Sequence, residues 1–171
     1  EVEMLDRDIG KWIFTRSMVR KRFAPAAVQL NGAIYVAGGY DGQEYLKSME
    51  RLDLRECSWT LLRTMTTRRG CHALTVLNEK LYAIGGYDGT QMIPTVEVFE
   101  PRVGLWMTLE PMTYARGYAA AVTLGNTICV MGGMQGNEVL DTVECYSEGN
   151  GWQLMDLKSM GKRCCFSAIV V

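Results

Sequence analysis

The chain has 171 residues, 48% of them apolar and 22% charged, with 18 lysines and arginines against 19 aspartates and glutamates and a formal net charge of −1. That composition excludes intrinsic disorder, and the near-neutral balance excludes a nucleic-acid binder that works through bulk positive charge. No stretch approaches the roughly 18 consecutive apolar residues of a membrane-spanning helix, and the acidic start Glu1-Val2-Glu3 is unlike a secretory signal, so no membrane role is expected.

Read in chain order, the sequence is organised by a step of 47 residues. Glu3, Glu50, Glu97 and Glu144 keep that step, and so do Arg22, Arg69, Arg116 and Arg163. The pairs Gly38-Gly39, Gly85-Gly86 and Gly132-Gly133 recur at the same distance. Trp12, Trp59, Trp106 and Trp152 are spaced 47, 47 and 46, with Met18, Met65, Met112 and Met160 in phase. An internal repeat of this length points to a stacked or radial architecture.

Residues 1–22 read as two strands, the second half of one repeat; 23–69, 70–116 and 117–163 are three complete repeats; 164–171 is one further strand. Inside a repeat the apolar runs are short, rich in Val, Ile, Leu, Tyr and Ala, and broken by Gly or Asn at strand spacing. The repeat at 70–116 predicts four strands, over 71–77, 80–85, 95–100 and 105–109. Asn31-Gly32 and Asn78-Glu79 suit two-residue hairpins, whose positive φ Asn and Gly accept. Runs such as Leu81-Tyr82-Ala83-Ile84 are apolar on both faces of the strand, so each sheet must be covered on both sides, which radially stacked four-stranded sheets achieve.

The run Tyr35-Val36-Ala37-Gly38-Gly39-Tyr40-Asp41-Gly42, followed one repeat on by Val96-Glu97-Val98-Phe99 and then a Trp, a Met and an Arg, resembles the kelch repeat over essentially the whole chain. The resemblance implies an all-β, kelch-type β-propeller of four-stranded antiparallel blades. About three and a half blades are present, and the family is most often six-bladed, so a partial ring is expected, with 164–171 as its ring-closing strand. Unpaired sheet ends should make the isolated chain self-associate. The implied function is protein binding, as in the substrate-recognition part of BTB-kelch ubiquitin-ligase adaptors. A cytoskeletal, actin-associated scaffold is the first alternative and a small-molecule kelch enzyme the second.

Residues that recur in every blade are scaffold before they are site, because an asymmetric partner is recognised by differences between blades. The glycine pairs read as strand ends in close packing, and the Trp and Met series as filling between blades. Glu97, flanked by Val96 and Val98, needs a partner if buried: a backbone amide, or an arginine from the same or an adjacent blade. Resemblance to the ligase adaptors gives the arginine position another reading, in which Arg22, Arg69, Arg116 and Arg163 face the central channel and grip an acidic peptide.

Antiparallel strand order puts the loop after each glycine pair on the same rim as the segment joining one blade to the next. The joining segments hold Arg16, Arg20, Lys21, Arg22, Arg63, Arg68, Arg69, Arg116, Lys158, Lys162 and Arg163; the post-glycine loops add only Asp41, Glu44, Asp88 and Glu138. This predicts a basic rim, with most acids on the opposite one, and hence an acidic or phosphorylated peptide or protein as partner and no nucleic acid. Tyr40, Tyr45, Tyr87, Tyr114 and Tyr118 give the rim the Tyr and Arg content of interface hot spots.

Catalysis is not expected. His72 is the only histidine, and no metal-ligand set, no Ser-His-Asp pattern and no cofactor motif is present. The six cysteines lack CxxC spacing and read as small buried hydrophobes of a reducing compartment, cytoplasmic or nuclear.

Overall fold

The computed structural model describes residues 1–156 and 161–170, so the Lys158 and Met160 positions of the repeat lie outside the described residues. Strands β1 (Glu3–Asp6) and β2 (Lys11–Phe14) form a two-stranded sheet. Blade 1 comprises β3 (Ala26–Leu30), β4 (Ala33–Ala37), β5 (Met49–Asp53) and β6 (Ser58–Leu61). Blade 2 comprises β7 (Ala73–Leu77), β8 (Lys80–Ile84), β9 (Val96–Glu100) and β10 (Leu105–Leu109). In the third blade, β11 (Ala120–Leu124) and β12 (Thr127–Met131) pair with β15 (Val143–Ser147) and β16 (Gly151–Met155), while β13 (Met134–Gln135) and β14 (Glu138–Val139) make a small hairpin in the post-glycine loop. Every pairing is antiparallel between sequence neighbours within its sheet, and the arc is a partial propeller.

Local chemistry sets these elements. Asn31 and Gly32 take φ of 49° and 74°, and Asn78 and Glu79 take 50° and 60°, the left-handed pairs of a tight hairpin that fix Leu30 opposite Ala33 and Leu77 opposite Lys80. On the turns after β1 and β5, Asp6 and Asp53 accept backbone N–H groups two and three residues on. Period-two alternation then divides each strand between two interfaces. Leu81, Ala83 and Phe99 pack with Leu30, Tyr35, Met49 and Met65 between blades 1 and 2. Their neighbours Tyr82, Ile84, Val96 and Val98 pack with Met112, Ile128, Val130 and Tyr146 between blades 2 and 3.

Tryptophans sew the outer strands to the preceding joining segment: Trp59, Trp106 and Trp152 donate from Nε1 to the carbonyls of Arg16, Arg63 and Glu110 at 2.8, 2.9 and 3.1 Å. The glycine pairs allow backbone to meet backbone. Gly86 N–H donates to the Arg116 carbonyl at 2.9 Å, and a Cβ on Gly85 would lie 2.3 Å from that same oxygen.

Two expectations are corrected. Residues 164–170 form no strand, and β1–β2 stays two-stranded, so the ring-closing pairing is not made. The physical reason is the arc itself: β1–β2 faces Ile34 and Leu52 of blade 1, whereas Arg163 and Cys165 hydrogen-bond to blade 3, two blades away. The cysteines are not all free thiols either. Cys129 and Cys145, directly opposite in the β12–β15 register, are bonded as a disulfide across the ladder, a proximity that their separation of 16 in sequence does not announce.

Gly85→Ala places a side chain against the Arg116 carbonyl at a φ of +62°. It should lower unfolding stability by more than about 2 kcal/mol, read from the midpoint shift in urea.

Candidate interaction rim

The post-glycine loops and the joining segments share a rim, as three backbone bridges show: Phe23 with Tyr40, Gly70 with Tyr87 and Gly117 with Met134. Beneath this rim lies a network present in three copies. The Glu50 carboxylate accepts the Val19 and Arg20 amides at 2.6 and 3.0 Å, Glu97 those of Thr66 and Thr67 at 2.6 and 3.0 Å, and Glu144 those of Thr113 and Tyr114 at 2.6 and 3.1 Å. Each carboxylate also pairs with an arginine: Arg22 with Glu50 at 2.7 Å, Arg69 with Glu97 at 2.9 Å and Arg116 with Glu144 at 2.7 Å. The same guanidinium groups donate to the carbonyls of Gly38 and Ser48, of Gly85 and Thr95, and of Gly132 and Thr142.

Three arginines expected to grip a partner are therefore corrected. The side chains of Arg22, Arg69 and Arg116 are 0% exposed and spent on carboxylates and carbonyls inside the blade that each introduces. The Nε–H of Arg69 and of Arg116 has no partner, but it is buried with the rest of the side chain and so offers no donor to a ligand at the surface. Arg163, the fourth of the series, is exposed at the rim with its guanidinium 5.9 Å from the Phe166 ring.

Other rim residues do come together at the surface. Arg20 is exposed, and with Leu46, Lys47, Ser48, Thr64, Arg68 and Glu44 it lines a pocket of about 140 Å³. Arg68 is tied to Glu44 at 2.6 Å and to the Tyr45 carbonyl at 2.7 Å. Lys21 and Arg20 act electrostatically on Asp41, whose carboxyl is held below its ordinary value first by the Glu44 and Gln43 amides and then by these cations. Tyr40 packs on Tyr45 with centroids 5.0 Å apart, and Tyr45 meets Tyr87 edge-on at 5.1 Å, an aromatic ridge that crosses from blade 1 to blade 2. Tyr114 is half-buried under the Arg116 guanidinium at 5.9 Å, and Tyr118, just before β11, is 39% exposed.

Between the loops of blades 2 and 3 opens a cleft of about 570 Å³ lined by Tyr87, Thr90, Gln91, Met92, Gln135 and Asn137, among others, with no ionisable group besides the tyrosine. Lys47 and this neutral cleft were missed by sequence reading. Lys47 closes a post-glycine loop and so belongs to the rim by topology, a signal that was there to use; the cleft depends on how two loops lean together.

The opposite rim is not the acidic one expected. There Arg51 pairs with Asp53, Arg102 with Glu79 and Lys80 with Glu148, so the charge is mixed. Three of the acids, Glu50, Glu97 and Glu144, are inside the blades instead.

His72 is buried between the blades. Its Cβ and ring carbon Cε1 stand where a Cβ on Gly86 or on Gly38 would go, each 2.7 Å away. Burial, with the nearby Arg69 and Arg22 charges, pulls its pKa down to about 3, and neither ring nitrogen has a hydrogen-bond partner. Among the described residues, no group of three His, Cys, Asp or Glu side chains is placed to hold a metal ion.

Removing one half of a buried pair leaves the other uncompensated, so Arg69→Ala should cost about 3–5 kcal/mol of stability, measured by urea unfolding. Burial by itself would raise the Glu97 pKa, but the Thr66 amide, the Arg69 guanidinium and the Thr67 amide outweigh it and the net shift is downward. A carboxyl depressed on folding adds stability above its unfolded value, 4.5, and loses that contribution as pH falls through the folded value. Unfolding free energy should therefore drop on acidification below about 4.5 in the wild type, and that part of the slope should vanish in Glu97→Gln.

Comparison with known proteins agrees with this architecture. A family model described as the KLHDC2/KLHL20/DRC7 Kelch-repeats domain matches residues 10–171. Among solved structures, the one described as "Structure of YjhT" superposes with a TM-score of 0.78 at 16% identity, covering 89% of this chain and 57% of that one. The chain thus spans little more than half the length of that structural relative, and the likeness concerns fold alone. With the repeat, the three blades and the buried Glu–Arg register in agreement, the chain belongs to the kelch-repeat family, as a domain of the KLHDC2/KLHL20/DRC7 type.

Proposed function

We propose that this chain is a protein-recognition module that holds an acidic peptide segment on its basic rim, in the manner of the substrate-recognition part of a ubiquitin-ligase adaptor. The observation that carries the reading is the gathering of exposed Arg20, Lys21, Lys47 and Arg68 at the entrance of blade 1, beside the Tyr40, Tyr45 and Tyr87 ridge. Guanidinium groups and tyrosines in one patch favour carboxylate-bearing partners and bury well on association. The rim also differs from blade to blade, basic at blade 1 and neutral between blades 2 and 3, which a module for an asymmetric partner requires. The ligase role rests on the kelch resemblance. A binding role rather than a catalytic one is supported by the sole histidine, whose ring is sealed between blades with its pKa near 3.

The reading is for a protein of the cytoplasm or nucleus. Four free thiols support that compartment, and the half-exposed Cys129–Cys145 bond is the observation that pulls the other way.

The test is an array of short peptides, acidic and neutral-scrambled, probed with the wild type and with Arg20→Glu/Lys47→Glu. Both substituted side chains are exposed, so folding is unaffected. Acidic peptides should bind the wild type with an affinity that falls as salt rises, and the double variant should bind them about tenfold or more weakly. Salt-insensitive binding, or equal binding by the variant, would overturn the reading. As bounded here the chain also presents Trp12 (66% exposed) and Phe14 (71%) on β1–β2 and Leu154 (51%) on β16. Such open sheet ends should drive self-association, seen as a more than monomeric mass by light scattering at micromolar concentration.

A further inference from the structure

Four positions one repeat apart, Ala24, Cys71, Tyr118 and Cys165, are joined across the blades by backbone hydrogen bonds at the rim. Cys71 N–H donates to the Ala24 carbonyl at 3.0 Å, Tyr118 N–H to that of Cys71 at 2.8 Å and Cys165 N–H to that of Tyr118 at 3.0 Å. All four residues are left-handed, with φ of 48°, 54°, 55° and 55°. The backbone therefore fixes the place, and the side chain is free to differ.

The residue preceding each of the last three is Gly70, Gly117 or Cys164. At Gly70 and Gly117 a loop side chain occupies the space of a Cβ: the Tyr45 ring at 2.6 Å and the Met92 sulfur at 2.3 Å. In blade 3 the equivalent loop residue is the shorter Val139, and the glycine is replaced by Cys164. Two adjacent thiols result, Cys164 half-buried and Cys165 exposed. The Tyr118 phenol lies beside the Cys71 thiol, which holds its pKa above the ordinary value.

We propose that Cys164 and Cys165 form a dithiol site that chelates a thiophilic trivalent centre of the arsenical class. Capture is balanced without redox change. In R–As=O the arsenic–oxygen bond breaks, two arsenic–sulfur bonds form, and the two thiol protons leave with the oxygen as one water, arsenic staying trivalent. Desolvation and the neighbouring Cys164 thiol push the Cys165 thiol above its usual value, which makes it a weak nucleophile towards peroxides. Chelation needs no thiolate formed in advance, because the protons depart with the oxygen. Direct disulfide closure is the poorer outcome: adjacent Cα atoms stand about 3.8 Å apart, short of the roughly 4.4–6.8 Å span of ordinary disulfides, and the Cys165 amide is held to Tyr118.

The probe is phenylarsine oxide, added to the protein purified without reductant so that Cys129–Cys145 stays closed, and followed by intact mass. One equivalent should bind, adding the mass of the arsenical less one water, and a dithiol competitor but not excess monothiol should remove it. Cys164→Ser and Cys165→Ser should each reduce labelling at least tenfold, and Cys164→Ala should repeat the loss with an unchanged far-ultraviolet spectrum, while Cys57→Ser and Cys71→Ser label as the wild type. Labelling that survives loss of Cys164 or Cys165, that disappears in Cys71→Ser, or that a monothiol reverses would overturn the proposal.

Discussion

A guanidinium is taken out of water at low cost only where most of its N–H groups find acceptors, and in this chain the acceptors are brought together by three different pieces of one blade. Arg69 reaches the Gly85 and Thr95 carbonyls at the end of β8 and the start of β9, and the Glu97 carboxylate within β9. Glu97 in turn receives the amides of Thr66 and Thr67 from the segment arriving from blade 1. One buried ion pair thereby fixes a crossover, a strand end and a loop base at once. Its copies at Arg22–Glu50 and Arg116–Glu144 give each blade the same entrance. Burial pulls Arg69 below its ordinary pKa while Glu97 opposes that change, the mark of a charge kept inside by its partner.

That construction decides what the surface can do. Residues that hold blades together are used up by doing so, whether arginine, glutamate, tryptophan or the glycines that let a neighbouring carbonyl approach. What remains at the surface are residues standing on this frame and differing between copies. Around blade 1 these are arginines, lysines and stacked tyrosines; between blades 2 and 3 they are amides and a methionine; after blade 3 they are two thiols. Even the rim aspartates divide in this way. Asp41 and Asp88 shape their loops by accepting backbone amides, and blade 3, with Gln135 in that place, forms the β13–β14 hairpin instead.

Most of the scaffold was legible in the residues alone. Short apolar runs, Asn-rich turns and the 47-residue step give the strands of blade 2 to within two residues of where they lie, and they give the shared rim. The candidate site was legible only in part. Strand order puts Arg20, Arg68 and the tyrosines on the rim; Lys47 stands just past the loop run 40–45, where the pattern that marks the loop ends. Arg22, Arg69 and Arg116 were assigned outward, since sequence shows a recurring charge but not which way it points. The apolar pattern of the last segment, 164–171, predicts a strand, yet a strand exists only along a paired neighbour, and residues 164–170, though Cys165 is bonded to Tyr118, join no sheet.

The sequence by itself determined the repeat, the strand-and-turn rhythm and the need of each buried glutamate for a partner, because these follow from spacing and from the chemistry of single residues. Tertiary structure alone decided which arginine meets which glutamate, 28 positions ahead and not 19 behind, and that Cys129 lies opposite Cys145. It also decided that the rim's surface charge collects at blade 1. These are distances between chain segments remote in sequence, set by how sheets stack, and no local pattern encodes them.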